Sequence, residues 1–257
     1  MKAKALNELA IFALAVQFLT RIPVPIDAGY SPERLAATPR YYPLVGVLVG
    51  LACGLVYLLA VAGMTPLPAL LLSIGTGLLL TGAFHEDGLA DTFDGLGGLD
   101  REQSLSIMRD SRIGTYGALA MGLVLATKVA ALLALAPSLV VLALVVAHAV
   151  SRLSAVLVIA SSRYVREHGT GKPTANGIGA GGLTVALLSG ALMLTPLAVY
   201  NGTAAAFYAL AGALLGHLFM RALFERRLGG YTGDTLGAVQ QLSELGVYLG
   251  LLLWQSS

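Results

Sequence analysis

The chain has 257 residues, of which 56% are hydrophobic and only 12% are charged. Soluble globular domains carry about 25% charged residues, so this chain has too few charged side chains to cover a water-facing surface. The composition predicts an integral membrane protein and excludes a soluble one. The formal net charge of +2 gives no reason to expect a nucleic-acid partner. The single cysteine, Cys53, excludes an intrachain disulfide.

The first apolar element lies at the N-terminus. Lys2 and Lys4 precede an apolar run from Leu9 to Leu19. The run is similar to a signal peptide, but no small-residue cleavage pattern follows it, so we interpret it as retained. It is shorter than the roughly 17 to 25 residues that span a bilayer. We therefore predict a short interfacial or re-entrant helix here.

Seven longer apolar segments follow, and each is predicted to form a transmembrane helix. They cover residues 41–62, 66–85, 114–136, 138–160, 180–200, 203–224 and 235–254. The expected fold is all-α, a polytopic membrane helical bundle of about seven transmembrane helices plus the short N-terminal helix. We expect a single integral membrane domain over residues 1–257.

The links between these segments alternate between two kinds. The links at 63–65, 137 and 201–202 carry no charge, whereas those at 21–40, 86–113, 161–179 and 225–234 carry nearly all of it. Cytoplasmic loops of membrane proteins are enriched in lysine and arginine. The alternation therefore predicts that all four charged links face the cytoplasm.

One charged link opens with a dense acidic stretch, "FHEDGLADTFDGLGG" (84–98). If the helix 66–85 continues through it, Asp87, Asp91 and Asp94 fall within an arc of about 60°. Carboxylates on one stripe near an apolar boundary repel one another, and the repulsion is poorly screened. They need a positive partner, which either Arg109 and Arg112 in the same link or a divalent metal ion could supply.

A metal site built on this stripe would favour a hard cation. Mg²⁺ and Ca²⁺ prefer carboxylate oxygens, and Mg²⁺ commonly lies between a few carboxylates and substrate phosphates. No cysteine is near and His85 lies on another helical face, so zinc is not expected; a purely hydrogen-bonding His85 stays open. Glu86 projects about 100° from Asp87 and is interpreted as solvated. Asp234 could either cap the last helix or add a carboxylate to the metal.

The spacing Asp91-x-x-Asp94-Gly95 is also similar to half of the aspartate motif of CDP-alcohol phosphotransferases. Those membrane enzymes displace a nucleoside monophosphate with the help of metal held by aspartates. The rest of their motif is absent here. The partial similarity indicates metal-assisted attack on a pyrophosphate.

Such chemistry needs cations to offset the charge that develops in the transition state. The stretch "IMRDSRIGTYG" (107–117) places Arg109 and Arg112 one turn apart before the next span. Lys128, Arg152 and Arg221 lie inside apolar segments, where an ionisable residue indicates function unless its side chain extends to the headgroups.

Other polar residues inside the apolar segments also need partners. Arg152 and Arg221 each follow a histidine by four residues, His148 and His217 respectively, so each pair shares a helix face. Glu244 lies roughly 15 Å into the last segment. A carboxylate at that depth needs a partner such as Lys128 or an arginine, or a proton.

Five motifs together resemble the cobalamin synthase family, the adenosylcobinamide-GDP ribazoletransferases. They are "FLTRIPVP" (18–25), "YYPLVGVLVG" (41–50), "FHEDGLADTFDGLGG" (84–98), "IMRDSRIGTYGALA" (107–120) and "GGYTGDTLGA" (229–238). The resemblance implies a multi-pass inner-membrane enzyme with its active site facing the cytoplasm. Such an enzyme joins α-ribazole, or its 5′-phosphate, to adenosylcobinamide-GDP, releases GMP and requires Mg²⁺. This is the last assembly stage of the B12 nucleotide loop.

The resemblance also assigns residues. The family pattern falls on His85, Asp87, Asp91, Asp94, Arg109, Asp110, Arg112, Lys128, Arg152, Asp234 and Glu244. It implies metal ligands at Asp87, Asp91, Asp94 and Asp234, and catalytic roles for Asp87, Asp91, His85, Arg109, Arg112, Lys128 and Arg152. The chain departs from the pattern at Glu86, usually apolar, and at Gln241, commonly an acid.

Two other functions use the same residues differently. A cation-coupled transporter would use the acids as an ion site with Arg152 and Arg221 as counter-ions, but its site would lie near the membrane midplane. A CDP-alcohol-type lipid transferase would release CMP. We expect membrane lipid as a partner of the bundle and a homo-oligomer as one possible state, and the choice between ribazole and its phosphate stays open.

Overall fold

The computed structural model describes residues 2–24, 29–166, 172 and 178–257, with side chains from residue 5 onwards. Pro25 of the first motif, the side chains of Lys2 and Lys4 and most of the link 161–179 lie outside the described residues. Within the described residues the chain forms α-helices, one 3₁₀ turn and a single isolated bridge between Tyr164 and Tyr231, and no β-strand. The prediction of an all-α fold is confirmed.

The helices follow one another with short connections. They are α1 (Lys2–Leu19), α2 (Pro32–Ala37), a 3₁₀ turn (Thr38–Tyr41), α3 (Tyr42–Val61), α4 (Pro66–Thr81), α5 (Phe84–Gly95), α6 (Arg101–Ile107), α7 (Thr115–Ala134), α8 (Pro137–Ser161), α9 (Ala180–Leu192), α10 (Leu194–Asn201), α11 (Thr203–Leu228) and α12 (Gly233–Gln255).

The described residues contain six segments long and apolar enough to cross a membrane, or seven if the bent pair of α4 and α5 is one span. The six are Pro32–Val61, Thr115–Ala134, Pro137–Ser161, Ala180–Asn201, Thr203–Leu228 and Gly233–Gln255. The N-terminal helix is shorter, with an apolar part at Ala5–Leu19. About seven spans and a short first helix are what the sequence predicts.

The α4–α5 junction differs from the prediction of one continuous helix. The two helices meet at an angle of 86°. Gly82 has a φ of 66° and Ala83 a φ of 56°, so two consecutive residues adopt the left-handed conformation and end α4. A Cβ on Gly82 would meet only the flexible end of the Arg21 side chain, so it is the positive φ that favours glycine there. The acidic stripe is therefore carried by α5 alone, which turns away from the axis of α4.

The described parts of all four charged links lie at one end of the bundle. Arg101 Nε donates to the carbonyl of Leu228 over 2.7 Å, which joins the link after α5 to the link after α11. The segment after α8 reaches both through Arg166. The first link joins them at the α4–α5 junction, where Arg21 N donates to the carbonyl of Leu80 over 2.7 Å. The fold is therefore consistent with the prediction that the charged links lie on one side of the membrane and the uncharged links on the other.

Candidate active site

The acidic side chains of α5 lie along its outer face. Asp87 is exposed, and Asp91 and Asp94 are half-buried. Their spacing of four and three residues keeps them on one side of the helix. His85 and Glu86 are buried on the side that faces the bundle. The helix thus separates a row of aspartates, near the charged links, from a buried polar interior.

Asp234 joins this face because α5 and α12 approach closely. A Cβ on Gly88 would lie 2.6 Å from the carbonyl oxygen of Asp234 and 3.1 Å from its Cα. Only glycine permits this approach. Asp234 lies in the first turn of α12, where a negative charge is favourable, but it does not cap the helix. The side chain of Thr232 does so, in a reciprocal pair with Thr235, so the capping interpretation of Asp234 is wrong.

Asp91 lies at the centre of the acidic group. The charges of Asp234, Asp87 and Asp94 repel its carboxylate, and that of Arg166 attracts it. We call the four aspartates Asp87, Asp91, Asp94 and Asp234 the acidic face. The predicted metal ligands are therefore close enough to act on one another electrostatically.

Asp94 has a structural task within the acidic face. Its Oδ2 accepts a hydrogen bond from Gly114 N over 2.7 Å, and its Oδ1 accepts one from Gly117 N over 2.8 Å. Gly114 is the N-cap residue of α7, which has no side-chain cap of its own. The carboxylate therefore caps α7 from a neighbouring helix.

We expect Asp94→Ala to lower the free energy of unfolding by about 1 to 2 kcal/mol, because two N–H groups at the start of α7 lose their acceptor. Asp94→Asn should recover part of that loss through its remaining carbonyl oxygen. Denaturant unfolding in detergent micelles measures both changes. Unchanged stability in Asp94→Ala would show that the cap is unimportant to the fold.

The acidic face does not form a complete protein metal cage. No group of three or more His, Cys, Asp or Glu side chains within the described ranges is arranged to hold a metal ion. Asp94 already accepts two hydrogen bonds, and Asp234 is paired with Arg166 at 2.7 Å. Mg²⁺ is commonly held by one or two carboxylates plus substrate phosphates rather than by a full set of protein ligands. The oxygen donors present fit that mode of binding.

The two arginines expected beside the acids have different surroundings. Arg112 pairs with Asp110, its Nη2 lying 2.6 Å from Oδ2, and its side chain is 87% exposed. The hydrogen bonds from Arg112 lower the pKa of Asp110 to about 2, so Asp110 is ionised at neutral pH and offsets the charge of Arg112. Arg109 is exposed and has no ion pair within the described residues.

Lys128 and Glu244 form the centre of a second, buried polar group. Lys128 Nζ lies 2.8 Å from Glu244 Oε1 and 2.7 Å from Gln241 Oε1. Gln240 Nε2 donates to Glu244 Oε2 over 2.7 Å. Lys128 is 3% exposed and Glu244 is 4% exposed. The predicted partnership of these two residues is confirmed.

Arg152 extends the same buried group. Its Nη1 lies 3.2 Å from His148 Nδ1, as their shared helix face predicts, and donates to the carbonyl of His148 over 3.0 Å.

These buried residues surround a cavity of about 30 Å³, which has room for about one water molecule. Its lining includes Lys128, Arg152, His85, Glu86, Gln241 and Glu244. We call this group the buried network. Lys128 and Arg152 thus lie behind α5. His85 lines the same cavity from α5 itself, on the side opposite the acidic face.

Glu86 belongs to the buried network, so its interpretation as a solvated side chain is wrong. It is 9% exposed, and its Oε1 accepts a hydrogen bond from Gln241 Nε2 over 2.8 Å. The bend before α5 turns the first residues of this helix inward, which the assumption of a straight helix could not anticipate. The two residues that depart from the family pattern are hydrogen-bonded to each other.

Arg221 takes part in neither group. Its Nη1 donates to Ser161 Oγ over 2.8 Å and its Nη2 to the carbonyl of Ser161 over 3.1 Å. It therefore binds the C-terminal end of α8. His217, on the same helix, is 5% exposed and packs in the bundle.

A family model described as cobalamin-5-phosphate synthase matches residues 11–252. This chain belongs to that family. The match covers the acidic face, the buried network and every span except the last three residues of α12. The sequence resemblance to the family is therefore confirmed.

Relatives in the family are similar over nearly their whole length. An adenosylcobinamide-GDP ribazoletransferase of Leptothrix cholodnii is 47% identical over 261 residues, covering 97% of each chain. Enzymes of the same name from Shewanella frigidimarina and Shewanella pealeana are each 45% identical, over 255 and 253 residues. They cover 97% and 96% of this chain and 96% of each relative. No solved structure matches the chain.

Sequence reasoning did not single out Arg166, which the structure brings to the acidic face. Its side chain pairs with Asp234 and also donates to the carbonyl of Met108 over 3.3 Å. In the sequence it is one of two arginines in the charged link 161–179, and the positive-inside rule explains it without a site. Only the fold brings this arginine to the acidic face, so no local signal could have found it.

Proposed function

We propose that this chain is an adenosylcobinamide-GDP ribazoletransferase, which joins α-ribazole or its 5′-phosphate to adenosylcobinamide-GDP with release of GMP. The observation that carries the proposal is the 47% identity, over 97% of both chains, to an enzyme of that name. The reaction completes the nucleotide loop of B12. The carboxylates of the acidic face are the part of the molecule whose chemistry suits this reaction.

The acidic face is suited to a Mg²⁺-bound pyrophosphate. Asp87 and Asp91, with Asp234, would hold the ion, while Asp94 mainly supports α7. When bound, the metal neutralises charge on the pyrophosphate. Arg109, exposed in the same link and without an ion pair in the described residues, would bind the departing GMP, with Arg112 beside it.

The transfer itself exchanges one bond at phosphorus for another. A ribose hydroxyl oxygen of ribazole forms a bond to the cobinamide-side phosphorus; it is not the 5′ oxygen, because the 5′ position carries the phosphate in the alternative substrate and keeps it in a cobalamin 5′-phosphate product. The bond from that phosphorus to the bridging oxygen breaks, and GMP leaves with the electron pair. A hydroxyl nucleophile would also give up a proton, for which an aspartate is better placed than His85, since His85 is only 6% exposed behind α5.

Lys128 and Arg152 would act indirectly in this scheme. Both are buried with their own partners, so they support the shape and charge of the bundle behind α5. We place the acidic face at the cytoplasmic side of the inner membrane, because its residues lie in or contact three of the four charged links, which carry arginines that the positive-inside rule assigns to the cytoplasm.

The test is substrate-dependent release of GMP from the purified protein in detergent or nanodiscs. We expect GMP and a corrinoid product in equal amounts when adenosylcobinamide-GDP, α-ribazole and Mg²⁺ are all present, and none when any one of them is left out. CMP release from a CDP-alcohol, or ion flux in proteoliposomes without GMP release, would contradict the proposal.

A further inference from the structure

Arg166 lies where three segments of the chain meet. Its Nη2 is 2.7 Å from Asp234 Oδ2 at the start of α12 and 3.3 Å from the carbonyl oxygen of Met108 at the end of α6. The backbone around it is held by the bridge to Tyr231, whose carbonyl accepts from Val165 N over 3.0 Å. The side chain is 10% exposed. Arg166 is therefore a fixed, mostly buried cation at the acidic face.

No other cation is paired with the acidic face in the described part of the chain. Arg112 is paired with Asp110, and Lys128 with Glu244 in the buried network. The charge of Arg166 also attracts Asp91. A phosphate that approaches Asp87, Asp91 and Asp234 would therefore meet Arg166 as a positive group already held at this face.

The guanidinium of Arg166 uses only part of its donor capacity. Both described contacts are made by Nη2, while Nε is buried and has no hydrogen-bond partner among the described residues. An N–H group buried without a partner is costly, and such groups are rare unless they serve a purpose. The edge formed by Nε and Nη1 has the planar geometry that matches two oxygens of a phosphate. Because Nε is covered by its surroundings, a phosphate reaches this edge only when neighbouring side chains shift.

We propose that Arg166 is a substrate-binding residue, whose Nε–Nη1 edge binds a phosphate of the nucleoside-diphosphate substrate while Asp234 holds its Nη2. The inference rests on the proposed function for the identity of the substrate. It assigns to Asp234 the additional task of orienting Arg166. The ion pair keeps the guanidinium in position before the substrate arrives, which reduces the entropy lost on binding.

Binding of inorganic pyrophosphate in the presence of EDTA tests Arg166 without metal and without turnover. Isothermal titration calorimetry on the purified full-length protein should show that Arg166→Gln weakens pyrophosphate binding by at least about tenfold. Arg166→Lys keeps a charge beside Asp234 but not the planar edge, so it should also weaken binding. The control Arg163→Gln removes an exposed arginine three residues earlier and should leave the affinity unchanged.

Asp234→Asn separates binding by Arg166 from a purely structural ion pair. The amide oxygen of asparagine can still accept from Arg166 Nη2 and orient it, while the negative charge that repels pyrophosphate is removed, so pyrophosphate affinity without metal should be kept or increased. If the ion pair only stabilises the fold, Asp234→Asn and Arg166→Gln would lower thermal stability alike, and Arg166→Lys would bind pyrophosphate as the wild type does. That result would overturn the proposal.

Steady-state kinetics distinguish this proposal from the proposed function. Arg166→Lys should raise the KM for adenosylcobinamide-GDP about tenfold and leave that for α-ribazole unchanged. A wild-type protein that releases no GMP would contradict the proposed function itself. A wild type that releases GMP, with equal KM values in wild type and Arg166→Lys, would contradict only the role of Arg166.

Discussion

Asp87→Asn is expected to lower turnover about 10²- to 10³-fold, because it removes one of the two charged oxygens with which Asp87 would hold Mg²⁺ against the pyrophosphate. Asp87 is exposed at the first turn of α5, and no hydrogen bond of its side chain is described. Asparagine has nearly the same shape, so the fold should be retained. The loss of activity would then report on charge at the site.

Turnover as a function of Mg²⁺ concentration is the measurement that checks this prediction. We expect Asp87→Asn to need more Mg²⁺ for half-maximal turnover and to stay below wild type at saturation. Glu102→Gln is the matched control, since Glu102 is an exposed acid in the same link, and it should keep wild-type turnover. Wild-type turnover of Asp87→Asn at saturating Mg²⁺ would remove Asp87 from the metal site.

Lys128→Met is expected to cost about 3 to 5 kcal/mol of unfolding free energy, because it removes the nearest cation from the buried carboxylate of Glu244. The Lys128–Glu244 pair is separated by 2.8 Å, and both side chains are at most 6% exposed. Gln240 and Tyr248 also bond to Glu244 but carry no charge, and His148 Nδ1 lies farther away than Lys128, 3.5 Å from Glu244 Oε2. Loss of the Lys128–Glu244 pair should therefore appear as a lower free energy of unfolding.

Reversible unfolding in mixed micelles can compare this variant with two others. The double variant Lys128→Met/Glu244→Met should lose less stability than the sum of the single variants, because no isolated charge is left behind. Arg112→Met removes an ion pair of similar length at the surface, where the side chain is 87% exposed, and should change stability little. Equal losses for Lys128→Met and Arg112→Met would contradict a special role for the buried pair.

The spans and the main chemistry could be predicted from local patterns. Long apolar segments must form helices in a membrane, because every backbone polar group has to be satisfied within the chain. The depth of Glu244 in its segment required a buried partner, and Lys128 is that partner. The spacing of Asp87, Asp91 and Asp94 set a common face on any helix. These conclusions depend on distances along one segment.

The roles of several residues could not be predicted, because they depend on which segments meet. Asp94 was expected to be a metal ligand, a role that remains a prediction, and the structure also makes it the cap of α7. Glu86 was interpreted as solvated and is buried against Gln241. Both outcomes follow from the bend at Gly82 and Ala83, which changes the direction of α5.

The sequence by itself determined a multi-span helical membrane protein of the cobalamin synthase type, with an acidic stripe and arginines in its charged links. Composition, helical period and motif order are properties of the chain alone, so no fold was needed for them. Only the tertiary structure decided that the acids and the buried cations lie on opposite sides of α5, and that Arg166 joins Asp234. Those assignments depend on contacts between residues far apart in sequence, where long-range packing sets the distance and the local pattern does not.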